Sequence, residues 1–261
     1  MGEYKHISLS CEDDFAIVTM CRGRYRNSLS EDHLRELLSA FRRVAESESR
    51  GVVLAAEGPV FSSGHDFNDM HGRNLDEMNQ LLKICAELMQ LLQRLPQPVI
   101  AQVEGLATAA GCQLVASCDL AVAGESSQFQ TPGGRGGWFC HTPGVALARA
   151  VGRKRAIEML FTGDPIDAKT AADWGLVNRV VPDSDVAFET RALLRRATGG
   201  SRYAKAKGKE VFYRQVDLDV GSAYAVATEA MAATSQSRDA QERINSFVEK
   251  RPPNYAERGE E

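Results

Sequence analysis

Two loops of small residues are the first features of this sequence that suggest chemistry. The stretch "GLATAAGCQLVASCD", residues 105–119, places small side chains ahead of an apolar run and sets one amide, Gln113, among them. The stretch "FSSGHD", residues 61–66, is again small and turns at a glycine. Such loops, when they follow strands of a parallel sheet, leave backbone N–H groups exposed to a ligand, and two of these donors can bind one oxyanion. Close packing of a helix against the sheet explains the first loop equally well.

The overall composition narrows the class of protein. A chain of 261 residues with 43% hydrophobic residues is long enough to bury a sizeable core. Its net charge of -4 provides no basic excess for nucleic acid, and its six cysteines are scattered without the spacing of a metal site. Neither an N-terminal targeting pattern nor a long apolar run is visible. We therefore expect a cytoplasmic, reduced protein with no metal, nucleic-acid or membrane partner.

Hydrophobic periodicity predicts the elements that position the two loops. An N-terminal hairpin turns at the acidic cluster 12–14, and a helix begins after the N-cap Ser30. The strands "GVVLAAE", "PVIAQVEG" and "DLAVAGE" alternate with helices, including a long one that stops before Pro96, which favours a parallel sheet. From Arg149 the pattern is helical apart from the short strand "VNRVV", and "SAYAVATEAMAATSQSRDAQERINSFVEKR" reads as one long helix.

The predicted organisation is an α/β core over residues 1–195 followed by a C-terminal helical region and polar tail over residues 196–261. The tail "PPNYAERGEE" is expected to be loose, because it is polar and carries two prolines. No internal repeat is visible.

Motifs along nearly the whole chain resemble those of the crotonase (enoyl-CoA hydratase/isomerase) superfamily. Besides the two loops, they include "RNSLS", "PVIAQVEG", "CDLAVAGESSQF", "RAVGRKRAIEMLFTGDPIDAKTAADWGLVNRVVP" and "INSFVEKR", in the expected order. The resemblance implies a ββα spiral core, a C-terminal helical trimerisation region and assembly as a homotrimer or hexamer. It also implies an acyl-CoA thioester as substrate and no cofactor other than the coenzyme A of the substrate.

The resemblance places the two oxyanion N–H donors at His65 and Ala110. Because both act through the backbone, their side chains are free to vary. Methylmalonyl-CoA decarboxylases are similar in having "GHD" at this loop, so the His65 imidazole either does acid–base work or only makes a structural hydrogen bond. The implied substrate-binding residues outside the later pocket segment are Arg26, Asn27, Ser28, Ser63, Gly64, Asp66, Phe67, Gly111, Phe247 and Lys250.

Hydratases of the superfamily use two glutamates, whose positions fall here on Gln113 and Gly133. An amide does not take up a proton at neutral pH, and glycine offers no functional group. The carboxylate pair of the hydratase mechanism is thus expected to be missing, while the thioester cradle is kept. Gln113 either orients a water or a carboxylate, or only forms hydrogen bonds with its surroundings.

The segment "TPGGRGGWFCHTPG", residues 131–144, supplies the remaining candidates. Superfamily members that are not hydratases take an acid, base or nucleophile from this region, which directs attention to Cys140 and His141. Trp138 and Phe139 are expected to form pocket walls, and Arg135 either pairs with an anionic acyl group or is solvated.

Three functions remain open from the sequence. The first is an isomerase, decarboxylase or thioesterase that uses the enolate without a glutamate pair. The second is a weak enoyl-CoA hydratase of fatty-acid metabolism, and the third is a non-catalytic acyl-CoA-binding protein.

Overall fold

The structure, a computed structural model, describes residues 4–255. The strands are β1 (Ile7–Glu12), β2 (Phe15–Met20), β3 (Gly51–Ala56), β4 (Val99–Val103), β5 (Leu106–Thr108), β6 (Leu120–Gly124), β7 (Gln128–Gln130), β8 (Ile166–Asp167) and β9 (Arg179–Val181). The helices are α1 (Glu31–Ala45), α2 (Phe67–Met70), α3 (Leu75–Arg94), α4 (Ala110–Ser117), α5 (His141–Ala150), α6 (Arg153–Thr162), α7 (Ala168–Trp174), α8 (Val186–Thr198), α9 (Arg202–Gln215), α10 (Val220–Thr234) and α11 (Arg238–Val248).

The larger sheet has the strand order β1-β2-β3-β4-β6-β9. Only β1 and β2 pair antiparallel, as the predicted hairpin, and every following pair is parallel. The predicted N-cap of α1 is also present, since the Ser30 side chain accepts a hydrogen bond from the backbone N–H of His33. The α/β prediction is therefore confirmed.

The two faces of this sheet are buried under different helices. Alternate residues of β2 and β3 divide between two apolar clusters, because side chains along a strand point to opposite faces. Ile17 and Val53 pack with Leu194 of α8, whereas Val18 and Leu54 join the larger cluster under α1 and α3. Burial on both faces explains why these strands read as continuous hydrophobic runs.

A second, smaller sheet lies at the ends of the parallel strands. It has the order β5-β7-β8, and isolated bridges extend its pairing from Ser62 to Ala107 and from Leu29 to His65. The chain thus leaves β3, β4 and β6 in turn and enters a short extended segment each time. This arrangement brings the loop 61–66 next to the turn between β5 and α4.

The C-terminal region differs from the prediction in one respect. The single helix expected over residues 222–251 is wrong, because α10 ends at Thr234 and α11 begins at Arg238. The new start is an N-cap at Ser237, whose side chain accepts the N–H of Ala240, while the Ser235 hydroxyl bonds back to Ala232.

The expected domain boundary at residue 195 lies within α8, which packs on the large sheet up to its end. Of the expected loose tail, residues 256–261 lie outside the described residues, as do residues 1–3 of the core. None of the helices between residues 4 and 255 is both long and apolar enough to cross a membrane.

The helix α9 is tied to the core by a buried ion pair. Lys209 Nζ donates to Asp119 Oδ2 at 2.6 Å and to the carbonyls of Leu92 and Gln97 at 2.8 and 2.9 Å. Tyr213 Oη donates to Asp119 Oδ1 at 2.9 Å. Burial raises the pKa of Asp119 and lowers that of Lys209, and their mutual attraction opposes both shifts.

Replacing Lys209 by methionine is expected to lower the free energy of unfolding by about 3–5 kcal/mol, because it leaves a buried carboxylate without its cation. Urea denaturation followed by circular dichroism measures the change. Lys169→Met is the control, since Lys169 pairs with Asp173 on the open surface and should leave the midpoint nearly unchanged. Equal, small effects of the two substitutions would contradict the role given to Lys209.

Candidate active site

Two glycines let the loop 61–66 approach the turn before α4 more closely than any other residue would. Gly64 has φ +82°, and a Cβ built on it would lie 2.9 Å from Ala109 Cβ and 3.1 Å from Ala110 N. A Cβ on Gly111 would lie 2.3 Å from the Ser62 carbonyl oxygen. Close approach of two backbones is therefore the reason for the small residues that the sequence shows here.

The backbone N–H of His65 is turned away from the strand pair that holds its neighbours. Leu29 donates its N–H to the Gly64 carbonyl at 2.8 Å, and its own carbonyl accepts the N–H of Asp66 at 3.3 Å. Alternate residues of an extended segment point in opposite directions, so the N–H of His65 faces the other side. Among the described residues, none accepts a hydrogen bond from it.

The backbone N–H of Ala110 is the second unpaired donor. Ala110 is the first residue of α4, so its N–H has no acceptor within the helix, and no other described residue accepts it. Ala109 directly before it has φ 52° and ψ -119°, and its N–H donates to the Gln130 carbonyl at 2.9 Å. A non-glycine residue in such a conformation costs about 1–3 kcal/mol. The fold holds this strain and thereby fixes the direction of the Ala110 N–H.

Both donors border a cavity of about 740 Å³. Its wall includes the predicted residues Ser63, His65, Phe67, Ala110, Gly133, Arg135, Trp138, Phe139, Cys140 and His141. The wall also includes Leu82, Thr108, Ala109, Gln130, Pro132, Gly136, Thr142, Pro143 and Gly163. No carboxylate stands among these lining residues, although Asp164 pairs with Arg135 beside them.

The other predicted site residues lie outside the cavity wall: Arg26, Asn27, Ser28, Gly64, Asp66, Gly111, Gln113, Phe247 and Lys250. Arg26 is exposed on the loop after the hairpin, and Phe247 is exposed on α11, with Lys250 just beyond that helix. Asn27 is fully buried, and its amide donates to the carbonyls of Glu57 and Val60 at 2.9 and 2.8 Å.

Asp66 is held by charged and polar groups beneath the loop. Its Oδ2 accepts from Arg22 Nη2 at 3.0 Å and from Ser28 Oγ at 2.9 Å, and Oδ1 accepts the N–H of Asn68. Burial alone would raise the pKa of this carboxyl, but these hydrogen bonds outweigh it and hold the pKa below its ordinary value. The carboxylate is thus engaged in the support of the loop that carries His65.

The His65 imidazole is shielded from solvent, and burial lowers its pKa. Neither ring nitrogen has a hydrogen-bond partner of good geometry among the described residues. The ring is therefore neutral at physiological pH.

Gln113 is 4% exposed, and its Oε1 receives no hydrogen bond from any described residue. It follows Ala110 by one turn of α4, so the two residues share a face of the helix. A buried amide oxygen without a hydrogen bond costs free energy, so Gln113 Oε1 is an acceptor available for a further hydrogen bond.

The thiol of Cys140 fills the space beside Gly133. A Cβ on Gly133 would lie 2.2 Å from the Trp138 carbonyl oxygen and 2.7 Å from Cys140 Sγ. Burial raises the pKa of the Cys140 thiol, so it is protonated near neutral pH and is a poor nucleophile. No hydrogen bond joins it to the ring of His141, which instead packs against Phe139 with the ring planes tilted by 55° and a centroid distance of 5.1 Å.

Arg135 lies at the rim of the cavity and pairs with Asp164 at 2.7 Å, with more than half of each side chain exposed.

The residues that the structure describes form no metal site, since no group of three His, Cys, Asp or Glu side chains comes together among them. The arrangement can polarise a carbonyl oxygen with two backbone donors.

Two supporting residues were not found from the sequence. Arg22 reaches Asp66 across 44 positions of sequence, and Arg73 pairs with both Glu31 and Asp69 around α2. Local patterns carry no signal for the pairs of Arg22 with Asp66 and of Arg73 with Glu31, whereas Asp69 and Arg73 stand at helical i,i+4 spacing.

Gly133→Ala is expected to reduce stability by about 1–3 kcal/mol, because the new methyl group overlaps the Trp138 carbonyl and the Cys140 thiol. Gly136→Ala is the matched control in the same segment, because the nearest atom to its new Cβ is 3.7 Å away. Thermal unfolding of both variants measures the difference. If the two variants unfold alike, the crowding at residue 133 is less severe than the structure shows.

The chain is similar to known proteins over most of its length. A family model described as enoyl-CoA hydratase/isomerase matches residues 11–258. The mitochondrial enoyl-CoA hydratase domain-containing protein 3 of Rattus norvegicus is 45% identical over 93% of this chain and 81% of its own length. A probable enoyl-CoA hydratase of Rhodobacter capsulatus is 31% identical over 98% of this chain and 99% of its own length.

Solved structures match over nearly the whole chain. An enoyl-CoA hydratase from Mycobacterium smegmatis is 44% identical, has a TM-score of 0.92 and covers 96% of this chain and 98% of its own. The human enoyl coenzyme A hydratase domain-containing protein 3 is 44% identical with a TM-score of 0.91, covering 96% of this chain and all of its own. These matches confirm the expected crotonase-like fold.

The comparisons correct one expectation. The cytoplasmic location predicted from the sequence is contradicted, because the relatives from rat, mouse and human, at 44–45% identity, are named as mitochondrial proteins. Composition and hydrophobic pattern describe the folded domain and carry no information on the compartment in which it works. With a family model matched from residue 11 to residue 258 and two loops that hold the site, the chain belongs to the enoyl-CoA hydratase/isomerase family, within the crotonase superfamily.

Proposed function

We propose that this protein is an acyl-CoA enzyme that binds the thioester oxygen between the backbone N–H groups of His65 and Ala110. The observation that carries the proposal is that both donors are unpaired among the described residues and border one cavity. A thioester carbonyl gains negative charge on its oxygen when an enolate forms, and preorganised donors stabilise that charge. Loss of one such donor costs about 10²–10³ in rate.

The cavity lacks a pair of carboxylates for activating water, so a different side chain must transfer the proton during the reaction. Of the titratable side chains in the wall, His65 is shielded, Cys140 is held protonated and Arg135 is paired at the rim. His141 is exposed at the start of α5 and brings an imidazole to the wall, the side chain that enzymes use most often for proton transfer. His141 is therefore the proposed proton carrier.

One proton carrier and one oxyanion site suffice for isomerisation of a 3-enoyl-CoA to a 2-enoyl-CoA. The base removes a proton from C2, the dienolate oxygen is held by the two N–H groups, and the same proton returns to C4. Hydration, by contrast, needs a water to be activated and a proton to be delivered at the same time. We infer that hydration of crotonyl-CoA is slow, because each positioned acid or base contributes about 10²–10⁴ in rate.

Decarboxylation of a malonyl-type CoA is the second candidate. Loss of CO2 leaves its electron pair on C2 and creates the enolate without any base. The wall itself carries no carboxylate, and Arg135 at the rim could exchange its partner Asp164 for an anionic acyl group.

The test is a comparison of three substrates with the unaltered protein. Turnover of a 3-enoyl-CoA is read from the absorbance of the conjugated product, that of methylmalonyl-CoA from bicarbonate release, and that of crotonyl-CoA from loss of absorbance. We expect isomerisation or decarboxylation to exceed hydration, and Ala110→Pro, which deletes the N–H, to lower it by about 10²–10³. Circular dichroism must show that this variant is folded.

His141→Gln separates the two candidates. It should reduce isomerisation by about 10²–10⁴ but leave CO2 loss less affected, because decarboxylation needs a proton only afterwards. Efficient hydration by the unaltered protein, unchanged in Gln113→Ala, would contradict the proposal.

Assembly as a trimer or hexamer is also proposed. Large apolar side chains of α10 are open in the single chain, with Val220, Tyr224 and Met231 between 72% and 79% exposed. A contiguous apolar surface of this kind marks an interface. Light scattering at micromolar concentration should give a mass of three or six chains, and a monomeric mass would contradict it.

A further inference from the structure

We infer that Arg22 is a positioning residue that fixes the direction of the oxyanion N–H at His65. The inference deepens the proposed function and rests on it. Arg22 itself is outside the cavity wall, so it acts through the residues that flank His65.

The Arg22 guanidinium joins two segments that meet under the loop. Its Nη1 donates to the Ser28 carbonyl at 2.7 Å and to Ser30 Oγ at 3.0 Å, and its Nη2 donates to Asp66 Oδ2 at 3.0 Å. Only 13% of the arginine side chain and 10% of the aspartate side chain are exposed. A planar fork can hold several acceptors in one fixed geometry, which a flexible ammonium group cannot.

The consequence for His65 follows from its neighbours. Gly64 and Asp66 are both tied by backbone hydrogen bonds to Leu29, which stands between the two residues that Arg22 holds, Ser28 and Ser30. Ser28 Oγ also donates to the same carboxylate oxygen of Asp66 as Arg22 does. The peptide units on both sides of His65 are therefore anchored to one frame, formed by Arg22, Ser28, Leu29 and Ser30. The backbone N–H of His65 is the donor left unpaired, and the frame keeps it in a single direction toward the cavity.

This frame matters because the donor is a backbone group. A side-chain donor can rotate to follow the substrate, but a backbone N–H moves only with its whole loop. Small displacements of a positioned group reduce the rate strongly. Loosening the frame should therefore lower the turnover number and leave substrate binding largely intact.

Arg22→Lys tests the inference, with Arg50→Lys as the matched control. Arg50 likewise donates to two oxygens, the carbonyls of Thr198 and Gly200 at 2.9 and 2.7 Å, but it lies outside the cavity wall and the loop 61–66. Both variants keep the charge and lose the fork. Unfolding midpoints are measured for each, so that a general loss of stability is recognised.

The first readout is the His65 amide itself, in protein labelled with ¹⁵N-histidine. His65→Gln identifies the resonance. Arg22→Lys should shift or broaden this signal, whereas Arg50→Lys should leave it in place. An unchanged His65 amide in Arg22→Lys overturns the inference, whatever the stability of the variant.

The second readout is polarisation of a bound thioester. An arylacryloyl-CoA absorbs at longer wavelength when its carbonyl is polarised, and Arg22→Lys should reduce this shift. The turnover number should fall about tenfold while KM changes less than about twofold. A lower unfolding midpoint with unchanged kcat and spectrum would show that Arg22 is only structural. If the wild-type protein has an ordered His65 amide but does not shift the absorbance of the bound arylacryloyl-CoA, the proposed function is contradicted. The effect of Arg22→Lys on the His65 amide resonance then tests the role of Arg22 by itself.

Discussion

The site depends on a close contact between the backbone of the loop 61–66 and the backbone at the start of α4. A side chain larger than hydrogen at the contacting glycines would cause a steric clash. Gly111 lies against the carbonyl of Ser62, and Gly64 lies against Ala109 and the N–H of Ala110. This contact places two hydrogen-bond donors at one edge of a cavity without using any side chain. The parallel sheet makes it possible, because β3 and β4 are neighbours and their ends deliver the two loops to the same place.

Around this contact, polar side chains hold the two loops in place. Asp66, Ser28 and Arg22 hold the first loop from below, and the strained Ala109 holds the start of α4. Farther away, Lys209 attaches α9 to Asp119 at the start of β6, at the opposite end of the parallel strands from the site. The cavity wall itself carries few charges, which suits a thioester whose charge appears only during the reaction.

The parts of the site that depend on local patterns could be predicted from the sequence. The position of each loop after a strand, the small residues and the cap at Ser30 all follow from spacing of a few residues. The ion pair between Arg22 and Asp66 did not, because it joins elements 44 residues apart. The crowding at Gly133 depends on the path of the backbone through Trp138 and Cys140, which no periodicity encodes. The break between α10 and α11 had a local signal in Ser237, but the long apolar pattern on both sides of it outweighed that signal.

A site made of backbone donors has a consequence for how its sequence can vary. Substituting His65 or Ala110 by any residue except proline keeps the N–H, so a survey of single replacements would record only how the side chains at these positions pack and how the neighbouring glycines crowd. Such a survey would record the glycines as packing residues and overlook the chemistry entirely. If the proposed oxyanion site is correct, the surrounding side chains can change while the two backbone donors are inherited, and the reaction can then diverge between relatives.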